Sequence, residues 1–178
     1  GIAYVPEDRQ RQGLILPMTV RENISMAVLE SLSKFGFVSF KQETTVATDY
    51  VSRLQIRTPS LEQLAMNLSG GNQQKVTISK WLVSEPKVLI LDEPTRGIDV
   101  GAKSEIHRLM SQLAQTGLAI LMISSELPEI MGMSDRILVM RKGTIVAEFS
   151  RAAATQENVI AAAMGLGAEA TEGETNLE

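Results

Sequence analysis

The sequence predicts an α/β domain with a parallel-sheet core and a helical subdomain set into it. Three observations carry that prediction. Residues 87–91 and 118–123 are short runs, apolar at nearly every position, as in strands buried on both faces of a parallel sheet. A helical pattern over residues 103–115 lies between them, so strand and helix alternate. Residues 18–67 show no clear strand, and helical signals recur through residues 18–85.

Each element has a local reason. Residues 2–5 read as a strand ended by Pro6, followed by a loop with Gly13 and Pro17. Thr19 with Glu22 three residues on makes a capping box. The helix after it carries Ile24, Val28 and Leu32 on one face, and Gly36 is expected to end it. Residues 41–54 are a second helix, closed by the loop signal Thr58-Pro59. A third runs from the Ser69-Gly70-Gly71 turn through Trp81 to Ser84. Gly117 is expected to close the helix over residues 103–115. A short helix over residues 127–131 follows, then a hairpin of residues 136–140 and 144–149 joined at Lys142-Gly143. Residues 155–164 are a last helix. Residues 165–178 are rich in Gly, Glu and Thr, and the expectation there is a disordered tail. Residues 1–164 thus form the expected domain.

Composition narrows the classes. The chain has 178 residues, 44% hydrophobic and 21% charged, enough for a real core. Its net charge of −4 argues against a nucleic-acid footprint. The basic residues Arg9 and Arg11 sit beside Glu7 and Asp8 and read as a solvated turn. There is no cysteine, so disulfides and thiolate metal sites are excluded. No apolar run approaches the roughly 20 residues of a bilayer span, so any link to a membrane is expected through a partner. The chain opens without Met directly on a strand pattern, as a piece of a longer protein does.

Two places can carry chemistry. Asp92-Glu93 follows a buried apolar run, at a strand's carboxyl end, where open α/β sheets bind ligands. Two adjacent carboxylates there call for a cation. Asp92 can hold Mg²⁺ and Glu93 can orient or deprotonate a water. Solvated acids at an ordinary strand end explain the pair equally well when it stands alone. Ser69-Gly70-Gly71 opens a helix, and its free N–H groups and close backbone approach suit a phosphate. A Gly-rich turn with a serine N-cap needs no ligand and also fits.

Together the motifs are far more specific. The run Leu68-Ser69-Gly70-Gly71-Asn72-Gln73-Gln74-Lys75, then a helix, then Val88-Leu89-Ile90-Leu91-Asp92-Glu93-Pro94-Thr95, resembles the ATP-binding-cassette (ABC) ATPases over residues 1–150. The fold it implies is a partial P-loop NTPase-type cassette. Tyr4-Val5-Pro6-Glu7-Asp8-Arg9 and Arg96-Gly97-Ile98-Asp99-Val100-Gly101 narrow the resemblance. It is to the second, C-terminal cassette of bacterial monosaccharide importers for ribose, arabinose, galactose or xylose.

The resemblance implies ATP and Mg²⁺ as cofactors. It places Ser69, Gly70, Gly71, Gln73 and Asp99 at nucleotide, Asp92 and Glu7 at the metal, and Glu93 at the attacking water. Ser125 falls at the family's switch-histidine position and Glu7 at its Q-loop glutamine, so both are departures. His107 is expected to be a surface or packing residue. No Gly-x-x-x-x-Gly-Lys-Ser/Thr sequence occurs, so these residues alone are expected to lack ATPase activity.

The resemblance further implies a head-to-tail dimer with the first cassette or a second copy. In it, the signature loop of residues 68–71 completes the opposite ATP site. The other implied partners are transmembrane permease subunits, contacted near residues 7–19, and indirectly a periplasmic sugar-binding protein. The implied location is peripheral, at the cytoplasmic face of the inner membrane. A non-hydrolytic regulatory or dimerising cassette is the alternative, favoured by Glu7 and Ser125 and opposed by Glu93. A soluble ABC protein of DNA repair or translation is disfavoured, since long coiled-coil inserts and basic tails are missing.

Overall fold

A computed structural model describes residues 1–166, so the expected disordered tail lies almost wholly outside the described residues. The chain divides into two compact units, residues 1–125 and the residues from Glu126 on. Each is described by itself.

The first unit is built on a three-stranded parallel sheet. Strand β1 (Ile2–Val5) and strand β5 (Ala119–Ile123) flank β4 (Val88–Asp92). Ile2 pairs with Val88 and Val5 with Leu91 on one side of β4; Asp92 pairs with Ile123 on the other. Burial alternates along the strands. Ala3, Val5, Leu89 and Leu91 are buried, whereas Ile2, Tyr4, Leu121 and Ile123 are exposed. The expectation of strands buried on both faces is therefore corrected: one face is covered and the other is open among the described residues. Helix α3 packs on β1 and α4 on β5.

The segment between β1 and β4 is mainly helical. Thr19 caps α1 (Val20–Ser25) in the expected capping box with Glu22. The α-helix does not run on to Gly36. It tightens over Met26–Val28, and a small hairpin follows, β2 (Ser33–Lys34) with β3 (Phe37–Val38). The reason is the turn residues. Phe35 (φ +53°) and Gly36 (φ +82°) both take left-handed backbone, which closes a two-residue hairpin. Ser39 then caps α2 (Phe40–Arg53).

Helix α3 (Gly70–Leu82) is almost entirely buried. Helix α4 (Val100–Gln115) starts three residues earlier than expected, because Asp99 accepts from the Ala102 N–H and caps it. Gly117 (φ +91°) follows its end.

Arg21 of α1 locks this helical region. Its guanidinium pairs with Glu43 of α2 and with Glu62, and lies 4.4 Å from the Phe40 ring centre. The Ser25 hydroxyl donates to the other Glu43 oxygen at 2.7 Å. A buried charge needs such partners.

The second unit holds α5 (Leu127–Met133), the hairpin β6 (Arg136–Arg141) and β7 (Thr144–Ser150), and α6 (Gln156–Met164). Lys142 and Gly143 both have positive φ, as the tight turn requires. Ile137, Val139, Val159 and Ala162 form its core, with Leu127, Ile130 and Phe149 packed around them.

Candidate functional site

The acidic turn grows out of β4. Asp92 ends the strand, and the Tyr4 hydroxyl of β1 donates to its Oδ2 at 2.8 Å. That bond, with desolvation and the Asp92 charge acting in the same direction, holds the Tyr4 phenol above its ordinary value. Glu93 has φ +45°, a conformation non-glycine residues rarely take. Its N–H is fixed on the Ile123 carbonyl at 2.8 Å, so the chain turns sharply at the mouth of the sheet. The Glu93 carboxylate then points back to the end of β5, where the Ser125 N–H donates to Oε1 at 2.8 Å. Ser125 thus meets Glu93 through its backbone, a contact independent of the side chain at that position.

Glu7 lies two residues after β1, and its side chain is partly exposed. It forms an ion pair with Arg96. Among the described residues no group of three or more His, Cys, Asp or Glu could hold a metal ion. Asp92 presents its carboxylate at the end of β4. That suits Mg²⁺, which keeps several waters and takes its other ligands from phosphate.

The second place is the start of α3. Gly70, Gly71 and Asn72 open the helix, where N–H groups have no partner within it. The Ser69 hydroxyl does not cap them and instead accepts from Asn72 Nδ2 at 2.9 Å. A helix start left uncapped by its own serine fits an anion. The glycines have a further reason. A Cβ on Gly71 would lie 2.6 Å from Ala102 Cβ, and one on Gly70 would lie 2.8 Å from Arg9 Nη2 and 3.2 Å from the Gly97 carbonyl. They let α3 sit directly against the start of α4 and the turn before it. Gln73 is buried: its amide donates to the Ala65 carbonyl and accepts from Gln10.

The two places are distinct. Asp92, Glu93 and Ser125 gather at the sheet mouth, while Ser69, Gly70 and Gly71 gather with Asp99. A depression of about 190 Å³ opens there, lined by Ser69, Gly71, Asn72, Asp99, Arg57 and Glu105. Glu105 accepts from Lys75 at 2.7 Å and from Arg57 at 2.9 Å. The Lys75 bond first, and then the neighbouring cations, hold the Glu105 carboxyl below its ordinary value against desolvation.

Sequence reasoning missed Arg9. Arg11, 88% exposed in its side chain, is the solvated residue that was expected. Arg9 is not. Burial pushes its guanidinium down from its ordinary value, and it donates to the carbonyls of Arg96 at 2.8 Å and Gly97 at 3.0 Å. Its position one residue after Asp8, which caps the turn over Arg9–Gly13, turns it inward; charge pattern alone does not show this.

Comparison with known proteins extends the geometry. The sequence model of a family described as ABC transporter matches residues 1–96. A ribose import ATP-binding protein of Jannaschia sp. is 49% identical over 174 residues, 98% of this chain and 34% of that protein. A xylose import ATP-binding protein of Thermoanaerobacter pseudethanolicus is 56% identical over 165 residues, 93% of this chain and 33% of that protein. The chain thus spans about a third of the length of the curated relatives it matches. A solved ATP-binding cassette dimer in a post-hydrolysis state with ADP and Pi shares the fold, with a TM-score of 0.68 and 21% identity over 84% of this chain and 62% of that one. Another cassette gives a TM-score of 0.71 at 24% identity, over 86% of this chain and 62% of that one.

Proposed function

Because this chain belongs to the ABC transporter family, we propose that it is part of the ATP-hydrolysing subunit of a monosaccharide importer. The observation that supports this most is the pair of separated sites: an uncapped Ser69-Gly70-Gly71 helix start, and a carboxylate turn at Asp92-Glu93. The two places share no lining residue. A head-to-tail dimer uses each in a different ATP site, so the signature loop acts on a nucleotide held by another cassette.

When bound, Mg·ATP supplies the γ-phosphoryl group whose transfer to water releases the energy. The chain's residues do the rest. Asp92, held by Tyr4, provides a carboxylate for Mg²⁺. Glu93 orients the attacking water and takes its proton, on the carboxylate that the Ser125 N–H aims. Across the dimer, the Ser69 hydroxyl and the N–H groups of Gly70 and Gly71 bind the phosphate of the opposite nucleotide. Asp99 keeps the start of α4 beside that loop, and Gln73 acts from inside α3 by holding Ala65.

No helix among the described residues is long and apolar enough to cross a membrane. The subunit works at the cytoplasmic face through permease partners, docked by a helical subdomain of residues 18–85, and a periplasmic protein delivers the sugar. The test is ATP hydrolysis by the full-length protein with its permease in liposomes. Sugar-stimulated turnover that Glu93→Gln lowers supports the reading; turnover indifferent to sugar and to that variant overturns it.

The Glu7–Arg96 ion pair favours a second reading. With Glu7 drawn to Arg96 and Ser125 standing where the resemblance expects the switch histidine, this cassette binds nucleotide and completes the other site without turning over its own. Single-turnover hydrolysis with the two cassettes' bases altered separately distinguishes the two.

A further inference from the structure

Arg9 joins the turn after Glu93 to the start of α3. Its Nη1 donates to the Arg96 carbonyl at 2.8 Å and its Nη2 to the Gly97 carbonyl at 3.0 Å. The same Nη2 lies against Gly70, where an added Cβ would approach to 2.8 Å. The guanidinium is therefore packed between the first residue of α3 and the turn that leads from Glu93 to Asp99. Its Nε is buried without a hydrogen-bond partner. The two carbonyl bonds, by contrast, are charge-assisted.

The turn it holds is tied at both ends, and Pro94 and Thr95 within it are buried. Glu93 N–H is fixed on β5, Arg96 N–H returns to the Glu93 carbonyl at 3.1 Å, and Asp99 caps α4. Between those ends, Arg96 and Gly97 are exposed, and Arg9 takes both of their carbonyls. Glu7, two residues earlier, pairs with the Arg96 side chain. At exposures of 42% and 67% that ion pair is worth little by itself. A planar fork on two consecutive carbonyls fixes both distance and angle, which a lysine cannot do.

We infer that Arg9 is a positioning residue that holds the Glu93–Asp99 turn against the signature loop and so couples the two ATP sites these elements serve. The inference rests on the dimeric reading above for its functional half. Its structural half stands on the contacts alone. Moving the turn by hydrolysis-linked change at Glu93 pulls on the Arg96 and Gly97 carbonyls. Through Arg9 that pull reaches Gly70, and with it the loop facing the opposite nucleotide.

The experiment compares full-length wild type, Arg9→Ala and Arg9→Lys by amide hydrogen exchange and by ATPase kinetics. In Arg9→Ala, exchange at the Arg96, Ala102 and Gln73 amides, which bond Glu93 O, Asp99 Oδ1 and Ser69 O, is expected to rise by about tenfold, the equivalent of one lost charge-assisted hydrogen bond. Exchange in Val88–Leu91 stays as in wild type. The kcat falls by about tenfold while KM for ATP moves less than about threefold, and Arg9→Lys does not restore it. Unchanged exchange at the Arg96 and Ala102 amides overturns the inference whatever the kinetics show. So does a rise that spreads through β4, which marks general loosening, or full recovery in Arg9→Lys. A wild-type protein without ATPase activity contradicts the proposed function, and the exchange data then still decide the role of Arg9.

Discussion

Replacing Ser125 by alanine is expected to cost little, although it lies at the family's switch position. The Glu93 carboxylate is aimed by the Ser125 N–H, at 2.8 Å from Oε1, and alanine keeps that N–H. Shortening the acid is another matter. Glu93→Asp withdraws the carboxylate by about 1.5 Å, one carbon–carbon bond, and breaks the contact. A hydrogen bond to a charged group is worth about 1.5–3 kcal/mol, so the expected loss in rate is about 10- to 150-fold. The strained turn at Glu93, with φ +45°, leaves the backbone little freedom to follow the shorter side chain. The assay is single-turnover hydrolysis by the full-length protein at saturating ATP, with thermal melting as a check on folding. Ser125→Ala should lower the rate by less than about threefold, within a packing-level perturbation. A loss in Ser125→Ala as large as that in Glu93→Asp would place the hydroxyl in the chemistry and refute the backbone argument.

Three further outcomes follow from packing and charge. Gly71→Ala puts a Cβ 2.6 Å from Ala102 Cβ, which cannot swing away, so α3 and α4 must part at a cost of about 1–3 kcal/mol; calorimetry should show recovery in Gly71→Ala/Ala102→Gly. Glu43→Ala strands the buried Arg21 with only the exposed Glu62 as an anionic partner, and urea titration should show a loss of about 3 kcal/mol, whereas Arg21→Met/Glu43→Leu should lie near wild type. Glu105, lowered in the folded state from its ordinary value of 4.5, contributes stability that is present above that pH and is lost as pH falls through the lowered value; Glu105→Gln should flatten melting temperature against pH in that acid window.

Much of this was readable in advance, for definite reasons. Leu89 and Leu91 beside Asp92 marked β4 and its carboxyl end, and the Thr19–Glu22 box marked the start of α1 to the residue. Periodicity failed after Ser25, because Ile24, Val28 and Leu32 keep a helical spacing while Phe35-Gly36 closes a hairpin. The turn signal was present and the apolar period outweighed it. Strand burial was overestimated for a related reason. Leu121 and Ile123 are apolar, but composition cannot tell which face of an edge strand is covered. The motifs placed Ser69, Gly70 and Gly71 at a helix start and Asp92 and Glu93 at a strand end, as the structure has them. They could not show that Gln73 turns into the protein, that Glu7 pairs with Arg96, or that Arg9 reaches Gly97, since those depend on contacts between residues more than 60 positions apart.

The central claim is that the signature loop serves a nucleotide held by another cassette. Sugar uptake and ATP hydrolysis by the full-length protein with its permease, compared between Ser69→Arg and Ser125→Ala, test it most directly. The account predicts that Ser69→Arg, which fills the helix start with a cationic side chain, reduces both by at least about a hundredfold, as loss of an oxyanion-type donor does. ATP bound to the protein should remain near wild-type levels, because the nucleotide is held elsewhere. Equal or reversed losses in the two variants, or loss of ATP binding in Ser69→Arg, would contradict it.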